Sequence, residues 1–383
     1  MRSNLLRTML GAAGAVLLAG AAFAQDTIRI GVTQPLTGAF AADGNYVVQG
    51  AKLAAEAINK AGGVNGKQLQ LIVEDNKSNP TEAAATAERL IVEDKVPVMM
   101  GAWGSSLTLA VMPKLVEYKV PMVVETSSSG KITTSGNPYI FRISPTSEME
   151  ARAFAPLVGT MGIKKADFLA TNDDFGKGSM QEFTKMLKQK GVAIGASETM
   201  AEDATDLSAQ LAKIKASGGD TIFVTTDVKQ LTLILKQAKD QQVTARIITT
   251  GGSVSPDQLI EQAGGAANGS YHLVFFTPWF PDAVKNPDVA KAFMQAWSDA
   301  KYDVGGLTEG FRGWDGIYTI AAAVKDAGKA DPAAITKALW GVHVRGVNGD
   351  IAFIKQGPAG RESGQSVPGV YLVKIDGGKV VQP

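Results

Sequence analysis

The chain has 383 residues, of which 38 are basic and 37 acidic, with a formal net charge of +1 and 45% hydrophobic side chains. That length suits two domains, and that composition supports packed cores rather than global disorder. The balanced charge, with no basic block interleaved with aromatics, excludes a nucleic-acid footprint. The absence of cysteine excludes disulfides, thiol catalysis and thiolate metal sites.

The N-terminus reads as a targeting segment. "MRSNLLR" supplies two arginines, "TMLGAAGAVLLAG" a short apolar run, and Ala22-Phe23-Ala24 a small-residue cleavage site. Residues 1–24 are therefore expected to be a cleavable secretory signal peptide. The run is shorter than the roughly 20 apolar residues of a membrane span. No cysteine is present to accept a lipid, so a periplasmic chain that is neither anchored nor membrane-inserted is expected after cleavage.

Strand-like and helical segments then alternate. "TIRIGVT" (27–33) predicts a strand and "NYVVQGAKLAAEAINKAGG" (45–63) a helix, with Val47, Ala51, Ala54 and Ile58 at helical spacing. "QLQLIVE" (68–74) is a strand, "NPTEAAATAERLIVED" (79–94) a helix with Pro80 in its first turn, and "VPVMMGA" (96–102) a strand. A helix opening near Ser105 and a strand "VPMVVE" (120–125) follow. The rhythm restarts with "KADFLAT" (165–171), "KGSMQEFTKMLKQKG" (177–191), "VAIGASETM" (192–200) and "DLSAQLAKIKASGG" (206–219). "DTIFVTT" (220–226), "VKQLTLILKQAKDQ" (228–241) and "ARIITTG" (245–251) continue it. Helices are predicted over 286–302, 311–328 and 332–340, before a strand "GVYLVKI" (369–375). Such alternation implies parallel sheets covered on both faces, and two similar blocks imply two lobes.

The segment "GAWGSSLTLAVMP" (101–113) places Ser105 and Ser106 between a strand and an apolar helix. A hydroxyl pair there is a helix cap, an anion cradle or a nucleophile. "ETSSSGK" (125–131), with Thr126, Ser127 and Ser128, is a second hydroxyl-rich turn at the carboxyl end of the next strand, where ligands of open α/β sheets sit. No G-x-S-x-G elbow, GxxxxGK[ST], GxGxxG or HExxH is present. His272 and His343, the two histidines, fall late in strand-like surroundings, so a serine hydrolase lacks its base. Neither catalysis nor a cofactor or metal is expected.

With those turns located, the chain resembles a type I periplasmic solute-binding protein, most similar to the leucine/isoleucine/valine-binding family. The carriers are "IRIGVTQPLTGAFAADG", "AGGVNGKQLQLIVEDNKSNP", "GAWGSS", "VPMVVETSSS", "FRISPT", "NDDFGKG", "DLSAQLAKIKASGGDTIFV" and "FFTPWFPD", in that order. The resemblance implies two Rossmann-like α/β lobes with parallel-sheet cores and a three-segment hinge: 25–142 plus 277–345 in one, 143–276 plus 346–383 in the other. It implies the substrate-binding component of an ABC importer, capturing a branched-chain type amino acid or related small carboxylate and docking on an inner-membrane permease. Aromatic acids, amides, urea-like solutes or a sensory role are the alternatives within the same fold. Carried over by position, Ser105, Ser106, Thr126, Ser127 and Ser128 hold a carboxylate, Phe175 and Asp227 come from the second lobe, and Asp43 from the opening turn. Trp103 walls the pocket. The family's acid after the "RIITT" strand is absent here, where Gly251, Gly252 and Ser253 stand, leaving Asp227 or Asp43 to face an ammonium.

Overall fold

The computed structural model describes residues 27–383, so the expected signal peptide lies outside the described residues. The first block gives β1 (Ile28–Gln34), β2 (Leu69–Asp75), β3 (Met99–Gly101), β4 (Met122–Val124) and β5 (Ile140–Arg142). The second gives β6 (Lys165–Thr171), β7 (Ala193–Met200), β8 (Thr221–Thr225), β9 (Arg246–Thr250) and β10 (Tyr271–Val274). Short strands follow: β11 (Val344–Gly346), β12 (Gly349–Ile351), β13 (Ile354–Gln356), β14 (Ser363–Gln365), β15 (Tyr371–Asp376) and β16 (Lys379–Val381).

Fourteen of them assemble into two seven-stranded sheets, ordered β13-β14-β5-β4-β3-β1-β2 and β16-β15-β10-β9-β8-β6-β7, while β11 and β12 pair with each other in a separate two-stranded sheet. β1 to β5 and β6 to β10 pair in parallel within their sheets, and antiparallel pairing is confined to the C-terminal strands. β3, β4 and β5 are wholly buried, as strands covered by helices on both faces must be. Local chemistry fixes several helix starts. Asn79 accepts from the N–H groups of Thr81 and Glu82 with Pro80 at the first position, which opens the helix Pro80–Val92.

The chain passes between the sheets after β5, after β10 and after β14. The expectation that everything from 346 onward joins the second lobe is corrected here. β14 pairs with β5, and β13 with β14, in the first sheet; β15 and β16 extend the second. β13 and β14 are three-residue strands too short to show a period, and Gln365 is held in the first sheet by Arg142, whose Nε donates to its Oε1 at 2.7 Å.

The helix Leu307–Ala327 is buried along most of its length and packs against the helix Ala41–Lys60. Glycines allow this approach: a Cβ at Gly50 would stand 1.8 Å from the Gly310 carbonyl oxygen, and one at Gly313 would stand 1.9 Å from that of Val47. The close fit sets Glu309 and Arg312, one turn apart, beneath the space between the lobes.

Candidate ligand-binding cleft

The strand ends of the two sheets converge on one cleft with about 440 Å³ of space between its walls, part of it open to solvent. From the first sheet, Trp103, Gly104 and Ser105 follow β3, and Thr126, Ser127 and Ser128 follow β4. From the second, Thr171, Asp173 and Phe175 come at or after the end of β6, Thr226 and Asp227 after β8, and Gly251 and Ser253 after β9. The placement outside the carboxyl ends of parallel strands is where open α/β sheets take ligands. Phe40 completes the wall.

The helix Ser105–Tyr118 begins at Gly104, and no side chain caps it. Its first-turn N–H groups, with the positive end of the helix dipole, are directed at this end of the cavity. Ser105, 1% exposed, accepts from the Ser129 N–H at 3.2 Å and so ties the two hydroxyl turns together. Ser127 donates to the Trp103 carbonyl at 2.8 Å and shares a hydrogen with Thr108 at 2.7 Å, which commits its hydroxyl to the scaffold. Thr126 and Ser128 make only long contacts, 3.5 Å to Glu125 and 3.4 Å from Ser147, which leaves their hydroxyls available. Arg142 supports the turn from below, donating to the carbonyls of Ser127 at 3.1 Å and Ser129 at 2.7 Å; burial lowers its pKa to about 9.

Trp103 adopts φ 65°, a left-handed conformation that a bulky residue seldom takes. Its surroundings over-determine it: the ring packs on Phe40 with centroids 4.8 Å apart, and Nε1 donates to Glu309 at 3.1 Å. Phe175 faces Gly251, where a Cβ would stand 2.3 Å from the phenyl ring and φ is +93°. Gly251 therefore contributes backbone alone, and Ser253 in the same turn donates its hydroxyl to the Thr226 carbonyl at 2.8 Å. The Gly251 N–H donates to Glu150 at 2.7 Å, and burial pushes the Glu150 carboxyl up to about 8.

Of the expected site residues, Trp103, Ser105, Thr126, Ser127, Ser128, Phe175 and Asp227 line this cavity, whereas Ser106 and Asp43 do not. Ser106 points across the mouth of the cleft, donating to Asp174 Oδ2 at 3.1 Å. Asp43 lies in the first turn of the helix Ala41–Lys60, where burial, then Glu309 and Asp227, push its carboxyl well above the usual range. Residues that the motifs do not reveal include Phe40, Asp173, Glu150, Arg142, Glu309 and Arg312. Only Asp173 carried a local signal, as the acid preceding "DFG", where its Oδ1 caps the Gly176 N–H at 2.7 Å. Arg312 pairs with Glu309 at 3.0 Å and donates to the Gly252 carbonyl at 2.5 Å, joining the lobes behind the cavity.

The histidines take no part. His272 is buried between Thr249 and Ser270, at 2.9 and 2.8 Å, and burial lowers its pKa to about 3; His343 is exposed. Trp314 packs in the first-lobe core, and Trp279 donates to Asp257. Among the described residues there is no grouping able to hold a metal ion, and no helix long and apolar enough to cross a membrane.

The profile of a family described as periplasmic binding protein matches residues 27–379. The leucine-, isoleucine-, valine-, threonine- and alanine-binding protein of Pseudomonas aeruginosa is 27% identical over 335 residues, covering 87% of each chain. A branched-chain amino acid transporter substrate-binding protein from Streptococcus pneumoniae, solved with isoleucine, superposes with a TM-score of 0.80 at 28% identity over 93% of this chain and 100% of its own. A solute-binding protein of an ABC transporter from Rhodopseudomonas palustris, solved with 3,4-dihydroxybenzoic acid, gives a TM-score of 0.79 at 26% identity over 93% and 95%. The matched span, the two sheets and the cleft between them agree: the chain belongs to the periplasmic binding protein family.

Proposed function

We propose that this protein captures an amino acid or related small carboxylate in the periplasm and presents it to the membrane permease of an ABC importer. One observation carries the reading. The uncapped N-terminus of the helix Ser105–Tyr118 and the hydroxyls of Thr126 and Ser128 share one cavity between two lobes. Free amides, a helix dipole and unspent hydroxyls are the donors that a carboxylate requires. The opposite lobe covers that site, so a solute stabilises the closed form through contacts the open form cannot make. The relatives that bind amino acids point to the same solute class.

A second reading, an aromatic acid, is favoured by the rings of Phe40, Trp103 and Phe175 around the cavity and by the neighbour solved with 3,4-dihydroxybenzoic acid. The experiment is a thermal-shift screen of amino acids, aromatic acids, amides and small dicarboxylates, repeated on Ser105→Ala/Ser128→Ala. A carboxylate that raises the melting temperature of the native chain and not of the folded double variant supports the reading. Equal stabilisation of both removes the carboxylate site.

A further inference from the structure

Behind the first-lobe wall, three buried side chains touch in series. Trp103, which lines the cavity, donates from Nε1 to Glu309 Oε2 at 3.1 Å. The same oxygen stands 3.0 Å from Arg312 Nε, and Glu309 Oε1 accepts from Arg312 Nη2 at 3.2 Å. Arg312 Nη2 also donates to the carbonyl of Gly252, which belongs to the second lobe. Three other side-chain contacts join the lobes: Ser106 with Asp174, Lys131 with Asp174, and Gln258 with Gly305. None of those residues lines the cavity. The bond from Arg312 differs, because its other partner leads to a cavity wall.

The series is stiff. Carboxylate and guanidinium meet side-on through two pairs of atoms, which sets the plane of the guanidinium as well as its place. The rings of Phe275 and Phe311 stand 5.1 and 5.3 Å from its centre and hold it further. With that plane set, Nη2 has one hydrogen left for Gly252. Glu309 Oε2 serves both Trp103 and Arg312, so a displaced indole tilts the carboxylate and the fork with it. Both ends are constrained. Trp103 keeps its left-handed φ of 65° only through its neighbours. Gly252 has φ +63°, and a Cβ there would stand 2.6 Å from the Phe275 ring, so this end offers backbone alone.

We infer that Arg312 is a positioning residue for capture: held by Glu309 and Trp103, it bonds the second lobe only when the cavity wall is in place, so filling the cavity and shutting the lobes are linked here. This inference rests on the capture reading above and deepens it. The link serves any solute that packs against Trp103, whatever charge that solute carries.

The test needs no solute. The chain has no cysteine, and the Asp174 N–H donates to Ser106 Oγ at 3.2 Å. Ser106→Cys/Asp174→Cys therefore sets two thiols close enough for a disulfide when the lobes are shut. Glutathione disulfide is the oxidant: the two thiols form one disulfide as it is reduced to two glutathione thiols. The equilibrium constant of that exchange measures closing. Arg312→Lys keeps the charge but lacks the fork, and in this background it should lower the constant about 10-fold. Trp103→Phe keeps a ring and removes the donor; it should lower the constant about 3-fold beside Arg312 and by less than about 1.5-fold beside Arg312→Lys. Melting curves of the reduced forms check folding. If Arg312→Lys does not fold, Glu309→Gln takes its place in the cycle, since it breaks the ion pair and keeps an acceptor for Trp103. Equal factors for Trp103→Phe in both backgrounds, or no effect of either single change, overturn the link. A pair that stays reduced beside the native Trp103 and Arg312 overturns it too, because the lobes then never bring these positions together. The solute screen decides the capture reading separately: a link found where no carboxylate binds keeps Arg312 and drops the carboxylate.

Discussion

Ser106 and Asp174 clasp each other between the lobes: Ser106 Oγ donates to Asp174 Oδ2 at 3.1 Å, while the Asp174 N–H donates to Ser106 Oγ at 3.2 Å. Lys131 reaches the other carboxylate oxygen at 2.8 Å. These contacts join the two lobes and can exist only when they are closed. Under the proposed function, Ser106 would help hold a solute by keeping the lobes together. Ser106→Ala should weaken every ligand by the same factor, about 3–10-fold, chiefly through faster release in stopped-flow measurements. A change in the order of preference among ligands would mean that Ser106 contacts the solute.

Arg312 and Glu309 are a buried pair at 1% and 2% side-chain exposure. Removing one partner strands the other charge, so Arg312→Met should cost about 3–5 kcal/mol in denaturant unfolding. Glu309→Gln keeps an acceptor for Trp103 Nε1, and the combination Arg312→Met/Glu309→Gln should recover part of the loss. A double variant no more stable than Arg312→Met would mean that the arginine acts through packing on Phe275 and Phe311, 5.1 and 5.3 Å from its guanidinium, rather than through charge.

Gly50→Ala should destabilise by about 1–3 kcal/mol or more, because backbone rather than a movable side chain stands 1.8 Å from the new methyl. Gly130→Ala, with nothing within 4 Å, should be neutral. Melting temperatures that fail to separate the two would show that the helices Ala41–Lys60 and Leu307–Ala327 part without cost.

Stability should fall as pH rises. Burial lifts Glu150 to about 8 and Glu125 and Asp315 to about 7 in the folded chain. Unfolded, these groups lose their protons near pH 4. From about pH 4.5 to pH 8 the folded state therefore holds more protons, and the free energy of unfolding decreases across that window. Urea unfolding at pH 5, 6.5 and 8 checks the slope, and Glu150→Gln should flatten it. A stability that rises over this range contradicts the burial of these acids in neutral form.

The sheets were legible where strands are long, parallel and buried: "KADFLAT" runs from 165 to 171, as β6 does. Turns were legible too, because hydroxyl clusters at strand ends are local features. What escaped was brought in over distance. Trp103 meets Glu309 across 206 positions and Arg312 meets Gly252 across 60, and no local pattern announces either contact. Asp43 was carried over by position from the family resemblance; here it lies buried in the first turn of the helix Ala41–Lys60 and off the cavity lining. The late three-residue strands carried no period to read, so their sheet could not be assigned from sequence.

The bond between Arg142 and Gln365 spans 223 positions, and through it the first sheet waits on the last part of the chain. No contiguous stretch amounts to either half of the molecule. A cut after residue 145 would leave one fragment lacking β13 and β14 and the other carrying strands for both sheets, so each piece should stay incomplete until the two are recombined. Assembly must likewise close very large loops late, which favours slow, cooperative folding of the whole over independent folding of its halves.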